Sequence, residues 1–264
     1  MSIEIHKHAI VDNGANLDDG VCVGAYAIIE SGAIIGKDSI VESHSIIKSS
    51  ARIGTNSRIG HFSVVGGLPQ FLGFDVSTKS YASIGNDVCI GEGVTIHRSI
   101  YEKGETKVGD LCFLMGNSHV AHDCDVGKSV SLANGALLGG HVKLADHVFV
   151  GGGAAFHQFV RVGEGAMVAG LAEITYDVPP FITVASRNLA CGINLVGMKR
   201  LSVPSDDISE IKKLYHIFLT KSGNLTTRAQ ELLDSNECPE TVRGREFVKF
   251  FLSGERGFVR SKSL

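Results

Sequence analysis

The 264-residue chain has no tryptophan, only 5 prolines and no run of 18 or more apolar residues. The missing apolar run argues against a transmembrane helix, and the opening residues MSIEIHKH lack the pattern of a signal peptide. The six cysteines form no CxxC pair and are expected to be free thiols of a cytoplasmic protein. With 44% hydrophobic residues and little proline, the chain is neither collagen-like nor disordered.

Charge is distributed unevenly along the chain, although the net charge is only -3. Residues 1–179 carry 12 Lys and Arg against 19 Asp and Glu, whereas residues 180–264 carry 13 against 9. The mildly basic C-terminal part suggests an acidic partner, and a solvated helix surface would give the same balance.

The dominant feature is a six-residue repeat. Every sixth residue from Ile5 to Val65 is Ile, Leu or Val, and the frame returns at Ile84 and again from Val108 to Ile174. The residue two places before is usually small, and glycine often follows. This period fits neither an amphipathic helix nor an alternating strand. It is typical of a hexapeptide repeat, in which three short strands make one triangular coil with the aliphatic residue inside.

The repeat resembles that of hexapeptide-repeat acyltransferases, which form an all-β left-handed parallel β-helix. We expect this fold over residues 1–180, in roughly nine coils. Residues 66–82 leave the frame and predict a loop, whereas residues 98–107 place Glu102 at a core position and predict a smaller bulge. Beyond residue 180 we expect a linker and a small α-helical domain, with helices starting at Ser205 and spanning 226–233 and 239–252.

Histidines cluster within the repeat. Because one coil has 18 residues, residues 18 apart should stack on neighbouring coils, and six residues converge on one corner region: His122, Asp123, Gly140, His141, His157 and Gln158. A histidine there could act as a general base oriented by Asp123, with the Gly140 N–H stabilising an oxyanion. Three histidines on a β-helix corner could equally bind zinc and activate water. His97, on a different face, is ambiguous.

The chain as a whole resembles the acyl-carrier-protein–UDP-N-acetylglucosamine O-acyltransferases that open lipid A synthesis. The similarity covers nearly the full length and is carried by SHVAHDC (118–124), GGHV (139–142), HQF (157–159), DVPP (177–180), GINLVGMKR (192–200) and GERGFVR (254–260). It implies transfer of a 3-hydroxyacyl chain from acyl carrier protein to the 3-position of a UDP-GlcNAc-type sugar nucleotide. No cofactor, metal ion, nucleic acid or stable membrane insertion is implied. The implied assembly is a cytoplasmic homotrimer with active sites between subunits, and the carrier protein docks on the basic C-terminal domain.

The resemblance also implies a role for each matching residue. His122 falls on the catalytic base, Asp123 on the acid that follows it, and Gly140 on the backbone donor to the thioester oxyanion. The matches that hold substrate and phosphates are His119, His141 and His157, and those that contact the nucleotide are Gln158, Asn194 and Arg200. Gln70 matches a glutamine of the family loop. Gly170 matches the end of the acyl groove, where a small residue would admit a longer chain.

Three residues depart from the family pattern. The family loop reads roughly Pro-Gln-Asp-Leu-Lys, but here Phe71 replaces the acid and Gly73 replaces the lysine. Val196 stands where relatives often carry an acid. These changes point to an altered acceptor, such as a sugar nucleotide with a 3-amino group. The alternatives are a zinc hydro-lyase of the γ-carbonic-anhydrase kind and a non-catalytic β-helical scaffold.

Overall fold

The computed structural model describes residues 2–261 and repeats one motif, a short strand followed by a turn. Successive strands belong to three different sheets, and each strand pairs in parallel with the strand one coil further along. The chain therefore winds into the left-handed parallel β-helix expected from the hexad, and this prediction is confirmed.

We call the three faces of the prism A, B and C. Face A has eleven strands: β1 (Glu4–Ile5), β4 (Cys22–Val23), β7 (Ile40–Val41), β10 (Arg58–Ile59), β13 (Cys89–Ile90), β16 (Phe113–Leu114), β19 (Ser131–Leu132), β22 (Phe149–Val150), β25 (Met167–Val168), β27 (Ile182–Ala185) and β28 (Leu189–Ile193). Face B has nine: β2 (Ile10–Val11), β5 (Ile28–Ile29), β8 (Ile46–Ile47), β11 (Val64–Gly67), β14 (Thr95–His97), β17 (His119–Val120), β20 (Leu137–Leu138), β23 (Ala155–Phe156) and β26 (Glu173–Ile174). Face C has eight: β3 (Asn16–Leu17), β6 (Ile34–Ile35), β9 (Ala51–Ile53), β12 (Tyr81–Ile84), β15 (Glu105–Val108), β18 (Asp125–Val126), β21 (Lys143–Leu144) and β24 (Arg161–Val162).

The core of the prism is a column of aliphatic side chains. In each two-residue strand the second side chain points inward and the first points outward, because successive residues of a strand face opposite sides. In β6, for example, Ile35 is 1% exposed and Ile34 is 41% exposed. The small residues of the hexad, such as Ala136, are also buried, so the corners pack closely.

The corners turn through residues with left-handed backbone. Tyr26, Asp38 and Asp123 have φ angles of 60°, 57° and 60°, although none is glycine. This conformation is unfavourable for most L-residues. We infer that the strand pairing on both sides holds it in place. The corner that joins faces B and C, called the B–C corner, carries Asp123, His141 and Phe159 at this position on successive coils.

The two predicted interruptions are both present. The other coils up to β26 repeat every 18 residues, but Val65 pairs with Ile96 and Ile96 pairs with Val120. The first offset accommodates the loop at 66–82 and the second accommodates the bulge at 98–107. Glu102 is exposed at the tip of that bulge and therefore does not occupy the core.

Within the described residues, four helices follow the coil: α1 (Leu195–Arg200), α2 (Ser205–Leu219), α3 (Leu225–Asp234) and α4 (Val242–Lys249), with a 3₁₀ turn at Phe250–Leu252. The three predicted helices match α2, α3, and α4 with its 3₁₀ turn, whereas α1 was not predicted. Phe218, Phe247 and Phe251 form the buried centre of this helical unit.

Face A continues beyond residue 180. β27 pairs in parallel with β25, and β28 then turns back antiparallel to β27. Strand pairing thus extends into the segment 181–264, whose separation as a domain stays a prediction. Within residues 2–261, no helix combines the length and the apolar character needed to cross a membrane.

Candidate active site

His122 and Asp123 form a buried pair on the B–C corner, directly after β17. The Nδ1 atom of His122 lies 2.8 Å from Oδ2 of Asp123. The side chains are 6% and 9% exposed. The αL turn at Asp123 leads the chain from face B to face C, and the carboxylate lies against the ring of the preceding residue.

Asp123 is held as a carboxylate by three donors. Besides His122 Nδ1, the Ser99 hydroxyl donates to Oδ1 at 2.5 Å and the Ile100 N–H donates to Oδ2 at 3.2 Å. Burial raises the pKa of Asp123, but these hydrogen bonds outweigh burial and hold the pKa below its usual value. Since a carboxylate only accepts, Nδ1 of His122 carries the proton and Nε2 presents its lone pair.

Gly140 lies one coil beyond His122, and the imidazole packs against its Cα. A Cβ at position 140 would lie 2.6 Å from Cε1 and 2.8 Å from Nε2 of His122, so any side chain would displace the ring. Within residues 2–261 the Gly140 N–H makes no hydrogen bond, as at the same position of the neighbouring coils. It is therefore an available donor beside Nε2.

His141 covers the pair from the next coil. Its ring meets that of His122 edge-on with the centroids 5.2 Å apart, and it stacks on Phe159 at 4.4 Å. Burial is the main reason that the pKa of His141 lies below its ordinary value, and the nearby Asp123 carboxylate opposes this effect. A largely neutral His141 can donate or accept a hydrogen bond with a substrate.

His119 and His97 form a second histidine pair beside His122. His119 points outward from face B, and its Nδ1 lies 2.7 Å from the Thr95 hydroxyl. His97 meets it edge-on at 4.9 Å, is 8% exposed, and has a buried Nδ1 without a hydrogen-bond partner in the described residues. Burial, together with His119 and His122, lowers the pKa of His97 to about 4.

Sequence reasoning left His97 ambiguous and gave Phe71 no contact with the histidine cluster. The 98–107 bulge displaces the repeat, so the simple 18-residue spacing does not place His97 next to this cluster. Phe71 belongs to the 66–82 loop, which the repeat could not position; its ring meets His122 edge-on at 6.0 Å. Knowledge of the register of β14 against β17 would have placed His97 beside His119 and His122.

The remaining candidates lie further from the His122–Asp123 pair, one coil along the same corner or elsewhere on the chain. His157 and Gln158 are exposed on the same B–C corner one coil further, and Gln70 is exposed in the 66–82 loop. Gly170 lies instead on the corner between faces A and B, where a Cβ would be 3.2 Å from the Gly152 carbonyl oxygen.

Asn194 and Arg200 line a groove of about 640 Å³ between α1 and face A. The Asn194 side chain caps α1 by accepting from the Gly197 N–H at 3.0 Å and donates to the Gly165 carbonyl at 2.9 Å. Within a single chain this groove is separated from His122, because the two sites belong to different faces of the prism.

The zinc alternative has a possible donor set in the same place. Ligand atoms of His122, Asp123 and His141 all lie within 4.8 Å of one another. However, the Asp123 carboxylate already accepts hydrogen bonds from His122 and Ser99, and a cation would have to replace them. The arrangement therefore fits a histidine base with an orienting carboxylate better than it fits a metal centre.

Comparison with known proteins gives consistent matches. The profile described as UDP N-acetylglucosamine O-acyltransferase, domain 2, matches residues 177–259, and the bacterial transferase hexapeptide profile matches residues 32–67. An acyl-[acyl-carrier-protein]–UDP-N-acetylglucosamine O-acyltransferase of Sulfurihydrogenibium is 47% identical, over 99% of this chain and 96% of the relative. Its counterpart in Paraburkholderia phymatum is 39% identical, over 97% and 99%.

Solved structures agree with these sequence matches. A UDP-N-acetylglucosamine acyltransferase from Campylobacter jejuni superposes with a TM-score of 0.89 at 34% identity, covering 98% of this chain and 100% of that one. The Francisella novicida enzyme gives 0.90 at 30% identity, covering 97% and 94%. Fold and corner site together define a hexapeptide-repeat transferase. Within that class, the chain belongs to the acyl-[acyl-carrier-protein]–UDP-N-acetylglucosamine O-acyltransferase family.

The low pKa of His97 predicts a pH-dependent stability. In the unfolded chain His97 should protonate below about pH 6.5, whereas in the folded protein it stays neutral down to about 4. The unfolded state then binds more protons, so the free energy of unfolding should fall as the pH drops through this window. The free energy of unfolding can be measured by urea titration at a series of pH values. As the pH is lowered, it should fall less steeply for His97→Gln than for the wild type. Equal slopes would contradict the assigned neutrality of His97.

Proposed function

We propose that this protein transfers a 3-hydroxyacyl chain from acyl carrier protein to the 3-position of a UDP-GlcNAc-type sugar nucleotide, the first step of lipid A biosynthesis. The observation that carries the mechanism is the buried His122–Asp123 pair, whose imidazole lies against a glycine with a free N–H. The full-length relatives reported above are named acyl-[acyl-carrier-protein]–UDP-N-acetylglucosamine O-acyltransferases, which supports the donor, the acceptor class and the reaction type.

Transfer proceeds directly between the two substrates. Nε2 of His122 takes the proton of the acceptor hydroxyl or amine as it attacks the thioester carbonyl. The Gly140 N–H stabilises the oxyanion that forms. As the tetrahedral intermediate collapses, the carbon–sulfur bond breaks, and the carrier's thiolate takes the proton from His122. Asp123 keeps the ring oriented and stabilises the imidazolium in between.

A covalent acyl-enzyme is not needed for this reaction. Cys124, two residues after His122 in the sequence, is buried and donates to the Gly139 carbonyl at 3.2 Å. Burial raises the pKa of Cys124 to about 12, so the reactive thiolate is scarce at neutral pH. We assign this cysteine to the core.

The acyl chain can extend from His122 across face B. The outward residue Leu137, 46% exposed, lies between the B–C corner and the opposite corner that holds Gly170. We propose that the chain runs over this apolar strip and ends near Gly170. The absence of a side chain there leaves room for a longer chain.

We assign the polar residues around His122 to the sugar nucleotide. His119, His141 and His157 hold the sugar and phosphates, and Gln70 approaches from the loop. Gln158, Asn194 and Arg200 contact the nucleotide. Because the α1 groove and His122 lie on different parts of one chain, these residues can act together only if neighbouring subunits share each site.

The outward side chains support a trimer. Face C presents mostly polar and charged groups, such as Arg52, Lys107, Asp125, Lys143 and Arg161. Faces B and A present apolar ones, including Ile10, Ile28, Ile46, Val64 and Leu137 on B, and Ile40, Phe113, Phe149 and Met167 on A. Packing face B of one chain on face A of the next covers this apolar area. It also brings each α1 groove toward a neighbour's His122.

The helical C-terminal unit suits an acidic carrier protein. Exposed basic residues occur on α1, α2 and α4: Lys199, Lys212, Lys213, Arg245 and Lys249. Such a surface would steer an acidic partner toward the site. The free cysteines fit a cytoplasmic location, which we also propose.

The acceptor is proposed to carry a 3-amino group. Phe71 places an aromatic edge against His122 where the family loop has an acid. Gly73, at φ 82°, has no side chain to offer the sugar nucleotide, and within the described residues no atom beyond its chain neighbours lies within 4 Å of where its Cβ would be. A nucleophile that is an amine depends less on such contacts because it is intrinsically more nucleophilic than a hydroxyl.

His122→Ala should lower kcat/KM for acyl transfer by at least about 100-fold, because the general base is lost. The measurement is transfer of labelled 3-hydroxyacyl chain from acyl carrier protein to UDP-GlcNAc and its 3-amino analogue. His216→Ala, which changes an exposed histidine of α2, is the matched control. Activity retained in His122→Ala would refute the assigned base.

In direct competition, the 3-amino analogue should be acylated in preference to UDP-GlcNAc. The double variant Phe71→Asp with Gly73→Lys restores the family loop and should move the ratio toward the hydroxyl acceptor. Product ratios by mass spectrometry report both. Preference of the wild type for UDP-GlcNAc would refute the altered acceptor while leaving the acyltransferase assignment intact.

Ile40→Lys should weaken the trimer, because it places a charge on the covered face A. Ile34→Lys, on face C, is closely matched, since the two isoleucines are 39% and 41% exposed in the chain. Light scattering should give about three times the 28.0 kDa chain mass for the wild type and Ile34→Lys, and less for Ile40→Lys. The opposite ranking would show that face C forms the interface.

A further inference from the structure

The 98–107 bulge adds residues to one coil and lies directly beside Asp123. Ser99, at its start, is fully buried although it is polar. At the far end of the bulge, the Thr106 hydroxyl accepts a hydrogen bond from the Asp123 N–H at 2.7 Å. The two ends of the bulge therefore hydrogen-bond to Asp123, one to its carboxylate and the other to its backbone N–H.

The hydrogen bonds of Ser99 fix the direction of its hydroxyl. The Ser99 Oγ accepts from the Tyr101 N–H at 3.0 Å, and its own proton goes to Asp123 Oδ1 at 2.5 Å. The Ile100 N–H donates to the other oxygen, Oδ2, which also receives His122 Nδ1–H. Both carboxylate oxygens are thus held, and the plane of the carboxylate is defined.

We propose that Ser99 is a positioning residue for the reaction, acting through Asp123 on His122. With the carboxylate fixed by Ser99 and Ile100, the His122 ring is held with Nε2 beside the Gly140 N–H. This inference rests on the proposed function of His122 as the base. It gives the bulge a purpose that the repeat alone does not explain.

Ser80 provides a matched control for Ser99. Ser80 is 2% exposed, and its hydroxyl donates to the Ser99 carbonyl oxygen at 2.5 Å. It therefore supports the same bulge by a buried hydrogen bond but makes no contact with Asp123. A general loosening of the bulge should affect both serine variants, whereas loss of carboxylate positioning should affect only Ser99→Ala.

The pH dependence of a Ser99 variant can be assigned to the pair. The titratable groups that face Asp123 are His122 and His141, while His97 and His119 interact electrostatically with His122. Tyr101, from the bulge, approaches His141 at 5.9 Å between ring centroids. Removing the hydroxyl donor destabilises the charged carboxylate and raises the pKa of Asp123. Activity that depends on the Asp123 carboxylate should therefore be lost at a higher pH on acidification than in the wild type.

The experiment compares wild type, Ser99→Ala, Ser80→Ala and His122→Ala in acyl transfer over a range of pH. We expect Ser99→Ala to lower kcat by about 10- to 100-fold with little change in KM, and to lose activity at a higher pH on acidification than the wild type. Ser80→Ala should stay near wild type in both respects. If circular dichroism shows that Ser99→Ala has lost its β-structure, the same measurements are made on Ser99→Cys. Cysteine is nearly isosteric with serine but is a weaker hydrogen-bond donor.

Two results would overturn the inference. One is an unchanged rate and pH profile in Ser99→Ala; the other is an equal loss in Ser80→Ala, which would indicate a purely structural role. A wild type inactive with both acceptors would instead refute the proposed function. In that case the Nδ1–H proton resonance of His122 still tests the positioning, since it should broaden in Ser99→Ala and not in Ser80→Ala.

Discussion

The stacking of every eighteenth residue on the same corner of the prism is the constraint on which the rest of this molecule depends. Parallel pairing fixes the position of each coil on the next, so the residues that follow β17, β20 and β23 lie above one another. His122 can approach the Cα of Gly140 only because the residue directly above it has no side chain. The αL turn at Asp123 then folds the carboxylate back onto the imidazole. The pair that we propose to be catalytic thus lies on an ordinary corner of the β-helix.

The chemistry of the corner comes from segments that leave the repeat. The regular coils supply a rigid wall of aliphatic strands, and at this corner the Gly140 N–H has no hydrogen-bond partner within residues 2–261. The loop brings Phe71 to the His122 ring, and the bulge brings Ser99 and Ile100 to Asp123. The carboxylate is buried but amply hydrogen-bonded, which is why it stays charged and keeps the proton of His122 on Nδ1. The rigid repeat therefore fixes the positions of the corner residues, and the irregular insertions supply the contacts that set their orientation and charge.

Much of the fold follows from the sequence, because a hexad of aliphatic residues has one good structural solution. The same arithmetic placed His122, Asp123, Gly140 and His141 together. It failed for His97 and Ser99, since the bulge changes the register between β14 and β17 and no local pattern encodes the new offset. It also missed α1 and β28, which are short and depend on packing against face A. The proposed subunit partners of Asn194 and Arg200 cannot be read from a single-chain pattern, because they would depend on how the faces of different chains meet.

We propose that each site is completed by two subunits, with His122 from one chain and Arg200 from its neighbour. The most direct measurement is to unfold and refold His122→Ala and Arg200→Ala together in equal amounts and assay acyl transfer. If the claim is right, each variant alone is nearly inactive, and the mixture recovers about a quarter of the wild-type activity, because some interfaces then combine two intact halves. A mixture that is no more active than the two variants assayed separately would contradict the shared site.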